Sequence, residues 1–340
     1  MTTSSGHVPV LLSRVCELLS PVAGRSGAVV VDATVGLGGH ADALLAAHPD
    51  LRVIGLDRDP AALRISGDRL ATYGARIQLM YTTFDALGEV LKDSATDGVD
   101  GVLFDLGVSS MQLDEAERGF SYSRDTGLDM RMDPAAALTA EHVVNHYSHA
   151  ELTRVLRAYG EERFASRVAA AIVRERNRAP ITSSAALAEL VRTAIPAATR
   201  RTGGHPAKRT FQGLRIEVNG ELAALEIALP TAIEALRPGG RLVAISYHSL
   251  EDRIVKRALV RATQDSTPPD LPVLLPQGRP RLRMLTRGAE APTAREIERN
   301  PRSASAKLRA AARVDEREDL AGQPGEHAEA PAPTRTRGAA

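Results

Sequence analysis

Tryptophan is absent from the 340 residues, and aromatic side chains make up only 3% of them. Leu, Val, Ile and Ala must therefore fill the interior. A single cysteine, Cys16, excludes an intrachain disulfide and argues against a cysteine-built zinc site, so no metal is expected. No apolar run reaches the ~20 residues that cross a bilayer. The N-terminus, MTTSSGHVPVLL, lacks a basic start followed by an apolar stretch. The expectation is a cytoplasmic protein with no membrane partner. Net charge is also nearly absent: 43 Lys and Arg face 42 Asp and Glu, giving +1. The molecule as a whole is not a cationic magnet for nucleic acid, so any such contact must come from local patches. Internal repeats are absent too. With 43% hydrophobic and 25% charged residues, the chain has the composition of a globular protein with room for about two domains.

What is present is an alternation of strand and helix signals. Residues 28–32 (AVVVD), 52–57 (RVIGLD), 76–81 and 99–105 (VDGVLFD) read as strands. Helical stretches at 36–48, 60–73 and 84–92 separate them, and Pro60 suits a first helical turn. Continuous apolar strands joined by helices predict a parallel sheet covered on both faces. From about 115 to 215 the pattern turns helical, with a helix at 182–195 that Thr182, Ser183 or Ser184 could cap. The α/β pattern resumes near Ile216 with a helix to Arg237, expected to kink at Pro230 and to stop at Pro238-Gly239-Gly240. A fifth strand (241–246), a helix (249–263) with a Ser249/Asp252 cap, and short strands near 282–286 and 307–312 follow. The division is thus 1–114 and 216–313 for a two-part α/β domain and 115–215 for a helical insertion. The tail, 314–340, is rich in Glu, Pro, Ala, Gly and Arg and is expected to be disordered.

Ligands of open α/β sheets bind at the carboxyl ends of the strands. The first turn carries Asp32-Ala-Thr-Val-Gly36-Leu-Gly38-Gly39-His40, whose glycines permit close backbone approach. Asp57 ends the second strand, where a carboxylate can accept both hydroxyls of a ribose. The loop alone also satisfies a loose nicotinamide fingerprint. Three features turn the reading to S-adenosylmethionine: an acid before the glycines, a fourth strand ending in Asp105-Leu-Gly-Val-Ser-Ser, and a late pair of short strands in place of a second mononucleotide-binding half.

Longer strings carry a resemblance. They are HVPVLL (7–12), DATVGLGGH (32–40), GLDRDP (55–60), FDLGVSSMQLDEAERGFSYSRDTGLDMRMD (104–133), YGEERFASRVAAAIV (159–173), HPAKRTFQGLRIEVNGEL (205–222), RPGGRLVAISYHSLEDRIVK (237–256) and NPRSASAKLRAAAR (300–313). The sequence resembles the bacterial MraW/RsmH family, which methylates N4 of a cytidine in 16S ribosomal RNA. It departs from the family pattern at Ala33, Met111 and Gly213, where Gly, Pro and Ala are usual. The resemblance implies a Rossmann-like class I methyltransferase sheet with an inserted all-helical domain, S-adenosyl-L-methionine as cofactor, and 16S rRNA or the small ribosomal subunit as partner; a homodimer is compatible with the sequence. It places Gly38, Gly39 and His40 at the methionine portion of the cofactor, Asp57 at the ribose, Phe84 beside the adenine, Asp105 near the sulfonium or amino group, and Gln112 as a further polar contact.

The exocyclic amine of cytosine is a poor nucleophile, because its lone pair is delocalised into the ring. Catalysis then rests on alignment and on an acceptor for the charge that develops on nitrogen. Asp105, Ser109 and Ser110 are candidates, as are Tyr247, His248 and Asp252 after the fifth strand; His248 could act as a base or cap a helix. Asp129, Arg131 and Asp133 could grip the cytosine or order their own loop. Basic segments at 174–178, 200–215 and 279–287 suit RNA, and the second combines Lys208, Arg209 and Arg215 with the aromatic Phe211. A nicotinamide-dependent oxidoreductase and a non-catalytic RNA-binding assembly factor are the competing readings.

Overall fold

The computed structural model describes residues 9–94, 96–122, 125–197, 205–265 and 279–315. All but the first two residues of the tail expected to be disordered lie outside that set. In chain order the elements are α1 (Leu12–Ala23), β1 (Val29–Asp32), α2 (Gly39–Ala47), β2 (Arg52–Asp57), α3 (Pro60–Leu70), β3 (Ile77–Tyr81), α4 (Leu87–Asp93), β4 (Val99–Asp105) and α5 (Ser110–Asp114). The helical stretch adds α6 (Ala140–His146), α7 (His149–Ala158), α8 (Ala165–Arg176), α9 (Ser184–Ala194) and α10 (Lys208–Asn219). The chain then forms α11 (Glu221–Ala235), β5 (Leu236–Ser246), α12 (Ser249–Thr263), β6 (Leu282–Met284), α13 (Ala294–Arg299) and β7 (Lys307–Arg313).

The seven strands form one sheet in the order β3-β2-β1-β4-β5-β7-β6. β1 to β5 run parallel, and β7 lies antiparallel to both β5 and β6. The strand period of two explains how one apolar run serves two cores. Val29 and Val31 join a cluster with α4, α11 and α12, whereas Val30 joins a second cluster with α1, α2 and α3. Covered on both faces, β1 needs no polar alternation. A third cluster is drawn wholly from Phe120 to Val218, so the stretch between β4 and α11 buries its apolar side chains on itself.

Local chemistry sets the helix starts. Asp59 accepts from the Ala61 amide at 3.0 Å ahead of Pro60, and Ser148 forms a reciprocal capping box with Glu151. Among Thr182, Ser183 and Ser184, it is Ser183 that caps α9. Two expectations change. The helix anticipated from 216 to 237 is two helices, because Gly220, at φ 62°, ends α10 and opens α11. Pro230 lies inside α11. β5 begins at Leu236, since the chain crosses Pro238-Gly239-Gly240 with a shift of register against β4 and then resumes pairing. Among the described residues, no helix is long and apolar enough to cross a membrane, and no group of three or more His, Cys, Asp or Glu could hold a metal ion.

Candidate active site

The parallel strands β1, β2 and β4 each end in aspartate, so the topology gathers Asp32, Asp57 and Asp105 at one edge of the sheet. The glycine turn closes over them. Asp57 Oδ2 accepts from the Gly36 amide and Oδ1 from the Asp59 amide, both at 2.9 Å. Gly36 and Gly38 have φ of 51° and 78°, a region that favours glycine. A Cβ on Gly38 would also crowd Leu70 and Ser66 of α3 at 3.1–3.2 Å, so this residue lets α3 pack against the turn and does not itself line the cavity. Gly39 does line it. A Cβ there would lie 2.3 Å from Pro9 Cγ, which places the N-terminal segment directly on the turn.

The cavity measures about 700 Å³. Gly36, Gly39, His40, Asp57, Phe84, Asp105, Ser109, Gln112, Lys208, Phe211, Arg215, Tyr247 and His248 all contribute to its wall, so most sequence candidates converge. Pro9 and Val10 from one end of the chain, and Pro301, Arg302 and Ser305 from the other, complete it. Leu11 donates its amide to Glu296 of α13, and His40 Nε2 donates to the Val10 carbonyl at 3.1 Å, because a carbonyl can only accept. Phe84, which follows β3, packs edge-on against Phe104, ring centroids 5.9 Å apart, and gives the cavity an apolar wall.

Carboxylates crowd this edge. Burial pushes Asp32 up to about 7, against a hydrogen bond from the Thr34 amide and with Asp105 and Asp57 adding to the rise. Burial likewise pushes Asp57 up to about 6, although the Asp59 and Gly36 amides favour its ionised form. Asp105 Oδ1 accepts from the Tyr247 hydroxyl at 2.8 Å, and Oδ2 lies 3.7 Å from His40 Nδ1. Burial, the Asp105 charge and that hydrogen bond raise the Tyr247 phenol far above its ordinary range, so it remains a donor.

The facing wall is arranged differently. Arg215 makes a bidentate pair with Glu221 at 2.8 and 3.0 Å and lies 3.8 Å from Glu251. His248 accepts from the Glu251 amide through Nδ1, while its Nε2 lies 3.2 Å from Glu251 Oε1 and 3.3 Å from Arg215. Glu251 Oε2 in turn accepts from the Tyr247 amide at 2.8 Å. Burial alone would raise Glu251, but His248, Arg215 and the Tyr247 amide outweigh it and hold the carboxyl below its usual range. His248 is therefore the N-cap of α12, in place of the expected Ser249/Asp252 pair. Asp252 instead bonds Arg309 of β7 at 2.7 Å. Ser109 caps α5 in a box with Gln112, whose amide reaches Asp59 at 2.9 Å; Ser110 opens the same helix, and its side chain lies outside the described set.

Of the basic candidates, Lys208 and Arg209 are exposed. Phe211 is buried in the helical cluster, edge-on to Tyr122 at 5.8 Å, and Arg215 is held in the ion pairs above. Arg200 lies outside the described residues. In the GLDMRMD loop, Arg131 forms a bidentate pair with Asp129 and donates to the carbonyls of Pro134 and Ala136. Asp133 accepts from Tyr81 at 2.6 Å. Sequence reasoning missed the residues that bind this loop to the sheet. Arg118 joins Asp59 to the carbonyls of Arg131 and Met132, and Asn219 bonds the backbone of Met130 and Met132. Only Asp59 carried a legible signal, as an acid immediately before a helix-starting proline.

A dinucleotide-binding oxidoreductase completes its sheet with parallel strands in the order 3-2-1-4-5-6. Here an antiparallel strand is wedged between the fifth and sixth. With the acidic strand ends around one cavity, this defines a class I S-adenosylmethionine-dependent methyltransferase fold. The chain belongs to the MraW methylase family, whose model matches residues 4–314. It is 59% identical over 310 residues to the ribosomal RNA small subunit methyltransferase H of Saccharopolyspora erythraea, covering 91% of this chain and 94% of that protein. The protein of the same name from Thermobifida fusca gives the same identity and coverage. That from Salinispora tropica is 61% identical over 313 residues, covering 91% and 84% of the two chains.

Proposed function

We propose that this protein transfers the methyl group of S-adenosylmethionine to the exocyclic N4 of a cytidine in the decoding region of 16S ribosomal RNA, acting in the cytoplasm on the RNA or the small subunit. One observation carries the reading: the glycine turn, Asp57 and Asp105 border a single cavity large enough for the cofactor and a base. The names of the relatives supply the RNA.

The donors and acceptors present fit an adenosyl sulfonium ligand. Each Asp57 oxygen accepts one backbone amide and keeps a lone pair for a ribose hydroxyl. Phe84 offers its ring to the adenine. Gly39, His40 and Asp105 face the methionine portion, and Gly38 acts behind them by letting the turn close. Gln112, committed to Ser109 and Asp59, holds the loop after β4 and so fixes the pocket wall. When bound, the cofactor supplies an electrophilic methyl group.

The protein's own task is to hold the amine in line and to accept its hydrogen bond as positive charge develops. Ser109 and His248 have their acceptor atoms engaged in helix caps. Asp105 is a carboxylate of the cavity wall, so we assign it as the acceptor, with the Tyr247 hydroxyl fixing Oδ1. Lys208 and Arg209 meet the RNA backbone at the mouth. Phe211 and Arg215 shape the wall from behind. The test is mass spectrometry of 16S RNA from a deletion strain. N4-methylcytidine should disappear, return with the wild-type gene, and fail to return with Asp105→Asn. A deletion strain that keeps the modification overturns the proposal.

A further inference from the structure

α12 begins at the cavity, where His248 caps it, and runs away from it beneath a face of one charge. Its buried side is Val255, Leu259 and Ala262. Arg253, Lys256, Arg257 and Arg261 occupy the other side and are all exposed. Their spacing of three and four residues sets them on one helical face over about 12 Å. Packing does not require these cations, since the apolar side already satisfies the core. An ordinary solvated face mixes signs, and this protein carries almost equal numbers of both. Among the described residues, no carboxylate pairs with Lys256, Arg257 or Arg261.

The row is joined to the mouth of the cavity. Arg253 donates to Glu161 at 3.1 Å, and Arg209 donates to the carbonyl of the same Glu161 at 2.8 Å. Lys208, next to Arg209, lines the cavity itself. Glu161, bonded also to Ser249, takes Arg253 on its carboxylate and Arg209 on its backbone carbonyl, and so draws together two arginines from different helices. The result is a continuous track: Lys208, Arg209, Arg253, then Lys256, Arg257 and Arg261.

We propose that this track binds the phosphates of the RNA strand that leaves the target nucleotide, with α12 as its outer half. Successive cations at positions 253, 257 and 261 repeat every ~6 Å along the axis, comparable with the separation of neighbouring phosphates on one strand. The proposal rests on the ribosomal RNA reading above and names the surface that reading requires. It also explains how a nearly neutral protein holds a polyanion: the charge is segregated, not added.

The experiment compares wild type with Lys256→Gln/Arg257→Gln/Arg261→Gln in methyl transfer to small subunits purified from a strain lacking the enzyme. Arg52→Glu/Lys92→Glu, at the opposite edge of the sheet, is the control. The track variant should raise KM for the subunit by about tenfold or more, with kcat within about twofold. It should also flatten the dependence of log affinity on log salt by about 2, since each phosphate left without its cation removes about 0.7 from the slope. Its affinity for S-adenosylmethionine by calorimetry, and the KM of the control, should match wild type. An unchanged KM and salt slope in the track variant overturn the track and leave the methyltransferase reading standing. An equal rise in the control also overturns it, as a net-charge effect. A wild-type protein that transfers no methyl to the subunits overturns the underlying reading, and the track with it.

Discussion

The two walls of the cleft treat charge in opposite ways. At the strand ends, Asp32, Asp57 and Asp105 crowd together, and burial, with neighbouring carboxylates adding to it, pushes the first two up to about 7 and 6. Across the cavity, Glu251 is just as deeply buried, yet it sits below its usual range because Arg215, His248 and the Tyr247 amide surround it. The difference separates two uses of a buried acid. Asp57, which lines the cavity with an elevated pKa, is placed for a ligand, whereas Asp32 lies buried behind it. Glu251, held between a guanidinium, an imidazole and a backbone amide, is scaffold. Tyr247 connects the walls, its amide on Glu251 and its hydroxyl on Asp105.

Substitutions on each wall should therefore fail differently. The largest effect is expected from Glu251→Ala, which leaves Arg215 and His248 buried without their shared partner. Denaturant unfolding should show a loss of about 3–5 kcal/mol, and a loss below about 1 kcal/mol would erase the distinction between the walls. Asp32→Asn should do the reverse. The native carboxyl titrates near 7 and the unfolded one near 3.8, so between those values only the folded state takes up a proton, and wild-type stability falls as pH rises through that window. At pH 8 the asparagine variant should be more stable by roughly 2–4 kcal/mol, and thermal melts should show the gap closing towards pH 4. A gap that persists at low pH would mean that charge is not its cause. Asp57→Ala should weaken S-adenosylmethionine binding by about 1–3 kcal/mol; unchanged affinity by calorimetry removes Asp57 from the pocket. Tyr247→Phe removes the hydroxyl donor to Asp105 Oδ1 and should lower kcat about tenfold, for about 1.4 kcal/mol, while cofactor affinity changes little. Arg302→Ala, which breaks an exposed pair with Asp114, should cost under about 1 kcal/mol.

Much of the strand-end wall was legible because it is local. β2 and β4 run over 52–57 and 99–105 as the sequence suggests, and their terminal aspartates follow from strand periodicity and sheet topology. The opposite wall was not, because its partners are remote. Arg215 reads as a phosphate contact until the turn at Gly220 brings Glu221 to it. Asp252 looks like a cap until β7 delivers Arg309 from 57 positions away. α1 escaped notice even though Val15, Leu18, Leu19 and Val22 are spaced to bury one helical face. Pro238-Gly239-Gly240 read as a stop, yet the sheet resumes through a register shift that no local propensity encodes.

The seal between Pro9, Leu11 and the segment around α13 has a temporal side. One lip of the pocket is made within the first dozen residues, and the other comes from 296–305. β7, which fills the gap between β5 and β6, is later still. A chain growing from the ribosome thus carries an unfinished cleft until residues 296–313 have emerged, since domains form as their residues appear.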